Sequence, residues 1–526
     1  MNLKLSPFFS DGMVLQRGAD IKISGSCLPL ESVQISFFGT TFTAKACDNG
    51  KWVCSVGRYT ENSTPAEMKI SSCGEEIIIC NILIGDVWLC SGQSNMELML
   101  DRACHNYPDE MSVTNPFIRQ CKVPQVYNFE GAQSEITSCG WESFSPQTAS
   151  NFTAAGYFFA KKLHERYKVP IGLFACAVGG TPVAAWMSAD MLKNFPEELA
   201  KAEKCKNNDY IKNTLSHYDD YVQDYHNRLD QADKGLKQNW ESTEYDDSDW
   251  EEISLFKSLD RSGSYWYRKT VQIPQEMQGK EATIFLGTAV DMDEVFINAQ
   301  KIGTTFYRYP PREYKFTLPQ SEKLTIAVRL FCYNGFGGFT AGKNCFIATE
   351  TRTFDIGIGA WKRRVGTEFE NQKPQTFFQY CPTGLFNGMI SPLVSANYVL
   401  KGVIWYQGES DTAVPERYAE KLAAMINGWR RLFEHANSAH GEMPFLLTQL
   451  AYFHDTLGTD WDLLREQQKK CLELPGTGLA AAYDLGEHND LHPQNKRDIG
   501  ERLARLAMRI AYGEKLKPNL FEMYNC

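Results

Sequence analysis

No apolar run in this chain approaches the length needed to cross a membrane, and the first residues, Met1-Asn2-Leu3-Lys4-Leu5-Ser6-Pro7, lack the apolar core of a secretory leader. As it stands the sequence is expected in the cytoplasm, or in a secreted or periplasmic setting had a leader been removed. Basic clusters are missing too. With a formal net charge of -10, neither nucleic acid nor an anionic membrane is expected as a partner. The sixteen cysteines never lie closer than seven positions apart, so no CxxC or CxxH pair exists and no metal site is expected. Cys90, Cys176 and Cys332 sit inside apolar stretches and read as reduced thiols rather than a disulfide framework. Internal repeats and low-complexity segments are absent. The pattern calls for no cofactor and leaves the oligomeric state open.

A length of 526 residues exceeds one ordinary core and predicts two to four domains. Hydrophobic and charged contents of 43% and 22% are globular values. Aromatics reach 13%, which suits either sugar-stacking surfaces or β-sandwich cores, the latter accounting for most of them. Residues 1–84 read as a small β-sandwich: Val33 to Phe37 alternates with period two, and Asp48-Asn49-Gly50 is a turn. From 85 the pattern turns α/β, with a helix from Phe152 to Tyr167 and a strand from Ile171 to Ala177. Residues 236–350 return to β, where Leu324, Ile326, Val328 and Leu330 alternate with polar or small neighbours. From 351 to 526 strands and helices alternate again: Gly402–Gln407, Tyr418–Phe433, Phe445–Leu450, Leu464–Leu474, Leu479–Leu485 and Asp498–Ala511. Such alternation predicts a doubly wound parallel sheet covered on both faces, interrupted by the middle β module.

The most informative stretch is Gly85-Asp86-Val87-Trp88-Leu89-Cys90-Ser91-Gly92-Gln93-Ser94-Asn95-Met96-Glu97. A short buried strand, a Ser-Gly break and a helix start place Ser94 on a tight strand-to-helix turn. Such a turn exposes a hydroxyl and aims helix N–H groups at what it attacks. Capping of the helix by Ser94 is the plain alternative. The stretch resembles the nucleophile block of the sialate O-acetylesterases, a carbohydrate-esterase branch of the SGNH hydrolase superfamily. The opening Phe9-Ser10-Asp11-Gly12-Met13-Val14-Leu15-Gln16-Arg17 resembles the start of the same family. The middle module is similar to the galactose-binding-like jelly rolls that accompany β-galactosidases, here read as a structural insert without a ligand.

Ligands of open parallel sheets bind beyond the carboxyl ends of the strands. Four segments end there: Gly92-Gln93-Ser94, Val178-Gly179-Gly180-Thr181, Tyr406-Gln407-Gly408-Glu409-Ser410-Asp411, and Asn489-Asp490-Leu491-His492-Pro493. Together they supply what acyl transfer needs. Ser94 is the expected nucleophile and His492 the general base, with His488 its rival. The segment around His492, with Asn495-Lys496 and Gly500-Glu501-Arg502 following, resembles the family's last block. SGNH hydrolases generally place Asp three residues before the His. Here Asn489 holds that position and Asp490 lies two before, so Asp490 is the expected acid, with Glu409 or a bare Ser–His pair as the fallbacks. The oxyanion hole is expected from the N–H of Ser94, the N–H of Gly179 or Gly180, and the amide of Gln407, the last implied by the resemblance.

These residues predict a metal-free serine esterase acting on an acetylated carbohydrate. The resemblance implies O-acetylated sialic acid, with acetylated xylan or another polysaccharide as the alternative. A glycoside hydrolase would need two essential carboxylates and no role for Ser94. A non-catalytic glycan-binding protein would leave the serine and histidine blocks unexplained.

Overall fold

Strand β1, Glu75–Gly92, begins exposed and ends fully buried, and the architecture follows from that change. In the computed structural model, which describes residues 3–308, 310–433, 441–454, 458–488, 490–517 and 519–524, the chain divides into two compact units. One comprises 1–211, 377–487 and 492–526; the other comprises 212–376 and 488–491. Among the described residues no helix is long and apolar enough to cross a membrane.

In the first unit, β1 is followed by α1 (Ser94–Glu97), β2 (Asn115–Lys122), α2 (Ala154–Tyr167), β3 (Ile171–Ala177), β4 (Gly402–Tyr406), α3 (Tyr418–Leu432), β5 (Phe445–Thr448), α4 (Trp461–Lys470), β6 (Thr477–Ala480) and α5 (Lys496–Ile510). The strands lie in the order β2-β3-β1-β4-β5-β6, all parallel. Antiparallel strands Trp141–Phe144 and Glu522–Tyr524 close the two edges.

Period-two geometry sends alternate side chains to opposite faces. Val87, Leu89, Val403, Trp405, Phe445 and Leu447 pack with Leu422, Met425, Ile426 and Trp429 of α3. Trp88, Cys90, Ile404 and Leu446 face the layer of α2 and α5. Those two helices approach closely: a Cβ on Gly500 would meet the Phe159 nitrogen at 2.7 Å and the Ala155 carbonyl at 2.8 Å. A sheet covered on both faces explains why these strands are apolar throughout. The expected strand Leu479–Leu485 stops at Ala480, because Tyr483–Leu485 winds into a single 3-10 turn.

The expected boundary at 84/85 falls inside β1. The first part of β1 pairs antiparallel with Asn62–Ser72, and its last part pairs with β3 and β4. The N-terminal strands therefore share one hydrophobic core with the α/β sheet, from Ile23 and Trp52 through Val87 to Trp405.

The inserted unit is wider than the expected 236–350. It contains a six-stranded and a five-stranded sheet whose strand pairs are all antiparallel. The strand Lys323–Cys332 lies at the middle of the larger sheet, and both its faces are covered, including Thr325, Ala327 and Arg329. The cover comes from residues before 236: Asp233 accepts from Arg329 at 2.8 Å, from the Ser264 hydroxyl at 2.6 Å and from the Trp266 ring nitrogen at 3.1 Å. The strand Trp361–Glu368 joins the same sheet beyond 350. Cys121 and Cys139 form a disulfide, a departure from the expectation of reduced thiols throughout.

Candidate active site

The chain reverses its direction of travel across the sheet between β1 and β4, which places a crevice at their carboxyl ends. The two ends are stitched together there: Gln93 N–H donates to the Tyr406 carbonyl at 3.0 Å. Gly92 has φ +134°, and a Cβ on it would stand 2.2 Å from that same carbonyl oxygen, so only glycine fits. Gln93 occupies the cap position of α1 without a side-chain cap bond, and its Oε1 instead accepts from the N–H groups of Gly408 and Ser410, both at 3.3 Å. Ser94 is thus the first helical residue rather than the cap, half-buried at the open end of the turn. The leading N–H groups of a helix have no partner within it, so Ser94 N–H is a donor available to a ligand.

The Gly179-Gly180 turn lies against Ser94. A Cβ on Gly179 would meet the Ser94 Cβ at 3.4 Å. The Gly179 N–H, however, donates to Glu97 Oε2 at 2.6 Å, and Gln125 Nε2 donates to Glu97 Oε1 at 2.8 Å. That corrects the expectation of Gly179 as an oxyanion donor: its hydrogen is already committed. Gly180, at φ +75° and with the Tyr380 hydroxyl 1.9 Å from where a Cβ would sit, is the remaining backbone donor of the pair.

Gln407 is fully buried, and its amide is committed as well. Nε2 donates to Asp411 Oδ2 at 2.7 Å and to the Thr181 carbonyl at 3.1 Å, while Oε1 accepts from Tyr418 at 2.9 Å. Both amide hydrogens are spent, so Gln407 is a strut under the turn and not the expected third donor. Asp411 in turn accepts from Val183 N–H at 2.9 Å, and burial holds its carboxyl above the usual range.

His492 is 2% exposed, whereas His488 is exposed. Burial, with the charges of Arg102 and Lys496 beside it, pushes the imidazole well below its usual pKa. The ring is therefore neutral at neutral pH, as a general base must be. Its loop is pinned on the side that leads into α5. Gln494 Nε2 donates to the His492 carbonyl at 3.1 Å, and Asn495 caps α5 by accepting from Asp498 N–H at 3.2 Å.

Lys496, fully buried in the first turn of α5, donates to Asn95 Oδ1 at 2.5 Å, and Asn95 Nδ2 donates to Glu409 Oε1 at 2.5 Å. Lys496 also stands 5.2 Å from the centre of the Tyr406 ring. This chain of three ties the residue after Ser94 to the His492 loop and to the loop after β4. It also engages Oε1 of Glu409, whose carboxyl burial pushes up. Asp490 is 1% exposed and counts with the inserted unit, where its Oδ2 lies 3.4 Å from Lys343 Nζ. Asn489 lies outside the described residues.

Residues 84–220 and 363–509, together more than half of the chain, match the family model described as carbohydrate esterase, sialic acid-specific acetylesterase. The chain belongs to this carbohydrate esterase family. The family stretches begin on β1 and end in α5, and the residues they leave out between 221 and 362 all lie in the inserted unit. Over 146 residues the chain is 34% identical to the sialate O-acetylesterase of Rattus norvegicus, covering 25% of this chain and 27% of that protein. The sialate O-acetylesterase of Homo sapiens matches at 34% over 146 residues, 25% of this chain and 28% of the relative. The matched stretch thus spans about a quarter of the length of these curated relatives. A crystal structure of a carbohydrate acetylesterase from Xanthomonas citri superposes with a TM-score of 0.58 at 26% identity, covering 98% of this chain and 76% of that one.

Three residues of the site escaped the sequence reading: Glu97, Asn95 and Lys496. All three sit inside or beside the stretches that carry the family resemblance, and their position there was the available signal.

Proposed function

We propose that the protein is a serine esterase that hydrolyses O-acetyl groups on carbohydrate, with Ser94 as nucleophile, His492 as general base and Asp490 as the acid that orients it. The observation that carries this reading is the Ser94 turn: a serine at the first position of a helix, at the switch point of a parallel sheet, beside Gly179-Gly180, with Lys496 tying the His492 loop to the neighbouring Asn95. Family membership supports the ester chemistry. The relatives named sialate O-acetylesterase favour O-acetylated sialic acid among the substrates, with acetylated polysaccharide as the alternative.

In this mechanism Ser94 Oγ attacks the acetyl carbonyl carbon while His492 takes the hydroxyl proton. The carbonyl electrons move onto oxygen, and the N–H groups of Ser94 and Gly180 bind that oxyanion. Collapse breaks the bond to the sugar oxygen, which leaves with the proton from His492. Water, deprotonated by the same imidazole, then hydrolyses the acetyl-serine and releases acetate. Asp490 retains its assignment through its place two residues before His492. On the same reading the parallel-sheet unit is of the SGNH type, the N-terminal strands derive from a sandwich, and 212–376 is a jelly roll of the galactose-binding-like kind.

The deciding experiment measures acetate release from a chromogenic acetyl ester. Ser94→Ala is expected to lose on the order of 10⁴-fold in kcat, as other triad serines do. Retained activity in that variant overturns the assignment.

A further inference from the structure

At the carboxyl edge of the parallel sheet lies a cleft of about 420 Å³, bordered by Tyr452 and Phe453 after β5, the first turn of α4 and the turn after β6. Four aromatic rings line it. Tyr452 meets Tyr483 edge to face with centroids 5.7 Å apart, and Phe453 meets Trp461 at 5.3 Å. The aromatic side chains of β4, β5 and α3 are all buried, whereas Tyr483 is 52% exposed. Its ring is nevertheless held firmly. The Arg465 guanidinium covers one face at 5.0 Å, and Arg465 is itself fixed by Asp462 and by the Ala451 carbonyl at 3.4 Å. Its exposed part is the surface that this fixed ring offers to a ligand.

The position of the cleft follows from the sheet order. β5 lies two strands from β1, and β6 lies three, so the cleft sits about 10–15 Å along the carboxyl edge from the Ser94 turn. That is a distance of a few sugar rings, too far for the ring that bears the ester at Ser94. The lining matches the same class of ligand. Aromatic faces pack against the C–H faces of a pyranose, and a carboxylate beside a guanidinium supplies acceptors and donors for its hydroxyls.

We propose that this cleft is a subsite for a remote sugar ring of the substrate, so that the esterase acts on acetylated oligosaccharide or polysaccharide chains rather than on an acetylated monosaccharide. The proposal rests on the esterase reading of the Ser94 turn and names its substrate class.

The test compares wild type with Tyr483→Ala, Trp461→Ala and the double variant on 4-nitrophenyl acetate, O-acetylated sialic acid, an O-acetylated sialyl-oligosaccharide and an acetylated xylo-oligosaccharide. In the double variant, KM for at least one oligosaccharide is expected to rise about tenfold, while kcat/KM on 4-nitrophenyl acetate stays within about twofold. Calorimetric titration of the deacetylated oligosaccharides into Ser94→Ala reads the cleft without hydrolysis. Binding is expected to weaken about tenfold when Tyr483 and Trp461 are also replaced. Unchanged KM and unchanged binding overturn the subsite, as does an equal loss on the small ester. A wild type that hydrolyses none of the four esters yet binds oligosaccharide through Tyr483 overturns the esterase reading and upholds the cleft as a sugar site.

Discussion

The backbone N–H of Gly179 donates to the Glu97 carboxylate at 2.6 Å, in the turn that packs against Ser94. A charge-assisted bond of this kind contributes about 1.5–3 kcal/mol. It fixes the glycine turn while spending a donor that the proposed oxyanion would otherwise use. Glu97→Gln preserves an acceptor and is expected to keep kcat within a few fold. Glu97→Ala releases the turn, and kcat on a chromogenic acetate is expected to fall about tenfold to a hundredfold with KM little changed. Equal kinetics for the two variants would remove Glu97 from the design of the site.

Gln407 gives a sharper separation of roles. As an oxyanion donor, its loss would cost roughly 10²–10³ in kcat without unfolding the protein. As the strut seen here, Gln407→Ala leaves the buried Asp411 carboxylate and Thr181 carbonyl short of a donor. A drop in Tm of several degrees, with kcat reduced less than about tenfold, is the expected result, measured by thermal unfolding and steady-state kinetics on the same preparation.

Lys496 is a cation at the N-terminal end of a helix, fully buried, where the helix dipole opposes it. Its partners Asn95, Glu409 and the Tyr406 ring offset that cost. Its charge also acts on His492, and the sign is definite. Removing a neighbouring cation stabilises the imidazolium and raises its pKa. In Lys496→Met the acid limb of the kcat/KM profile is therefore expected to move to higher pH, beside a stability loss of about 3–5 kcal/mol. A limb that stays in place or moves down contradicts this electrostatic role.

Stability should report the same histidine. His492 binds its proton less readily folded than unfolded, so the unfolded chain takes up more protons as pH falls, and stability declines below the ordinary value of 6.5. The expected decline is about 1.4 kcal/mol per pH unit until the folded pKa is reached. Denaturant midpoints measured between pH 7.5 and 5 should fall less steeply for His492→Gln than for wild type.

Gly92 tests the backbone directly. Any Cβ there would overlap the Tyr406 carbonyl at 2.2 Å, at a φ of +134° that side chains resist. Gly92→Ala is expected to abolish soluble expression or to lower Tm by several degrees, roughly the effect of a 2–3 kcal/mol defect in a unit of this size. A variant with native Tm would mean that the β1 and β4 ends are not stitched as described.

Much of this was legible in local chemistry. Apolar runs bounded by glycine placed β3, β4 and the buried end of β1, and the strand-turn-helix at Ser94 is an arrangement of neighbouring residues. Other features were not local. The boundary expected at 84/85 fails because a single strand serves two sheets, and nothing in Ile82-Leu83-Ile84-Gly85-Asp86 marks the handover. The insert begins earlier than its β pattern because Asp233, in a helical stretch, is a hydrogen-bond hub of the larger sheet. Cys121 and Cys139 looked like two thiols among sixteen until the pairing of β2 with Trp141–Phe144 set them together.

What the sequence by itself determined is the order of elements and the residue types at the carboxyl edge, since periodicity and turn chemistry act between residues a few positions apart. What only the tertiary structure decided is which donors remain available. Gly179 is taken by Glu97 across 82 positions, and Lys496 reaches Asn95 across 401. A buried polar group must bond to whatever the fold brings within 3 Å of it, and that choice is made in space, not along the chain.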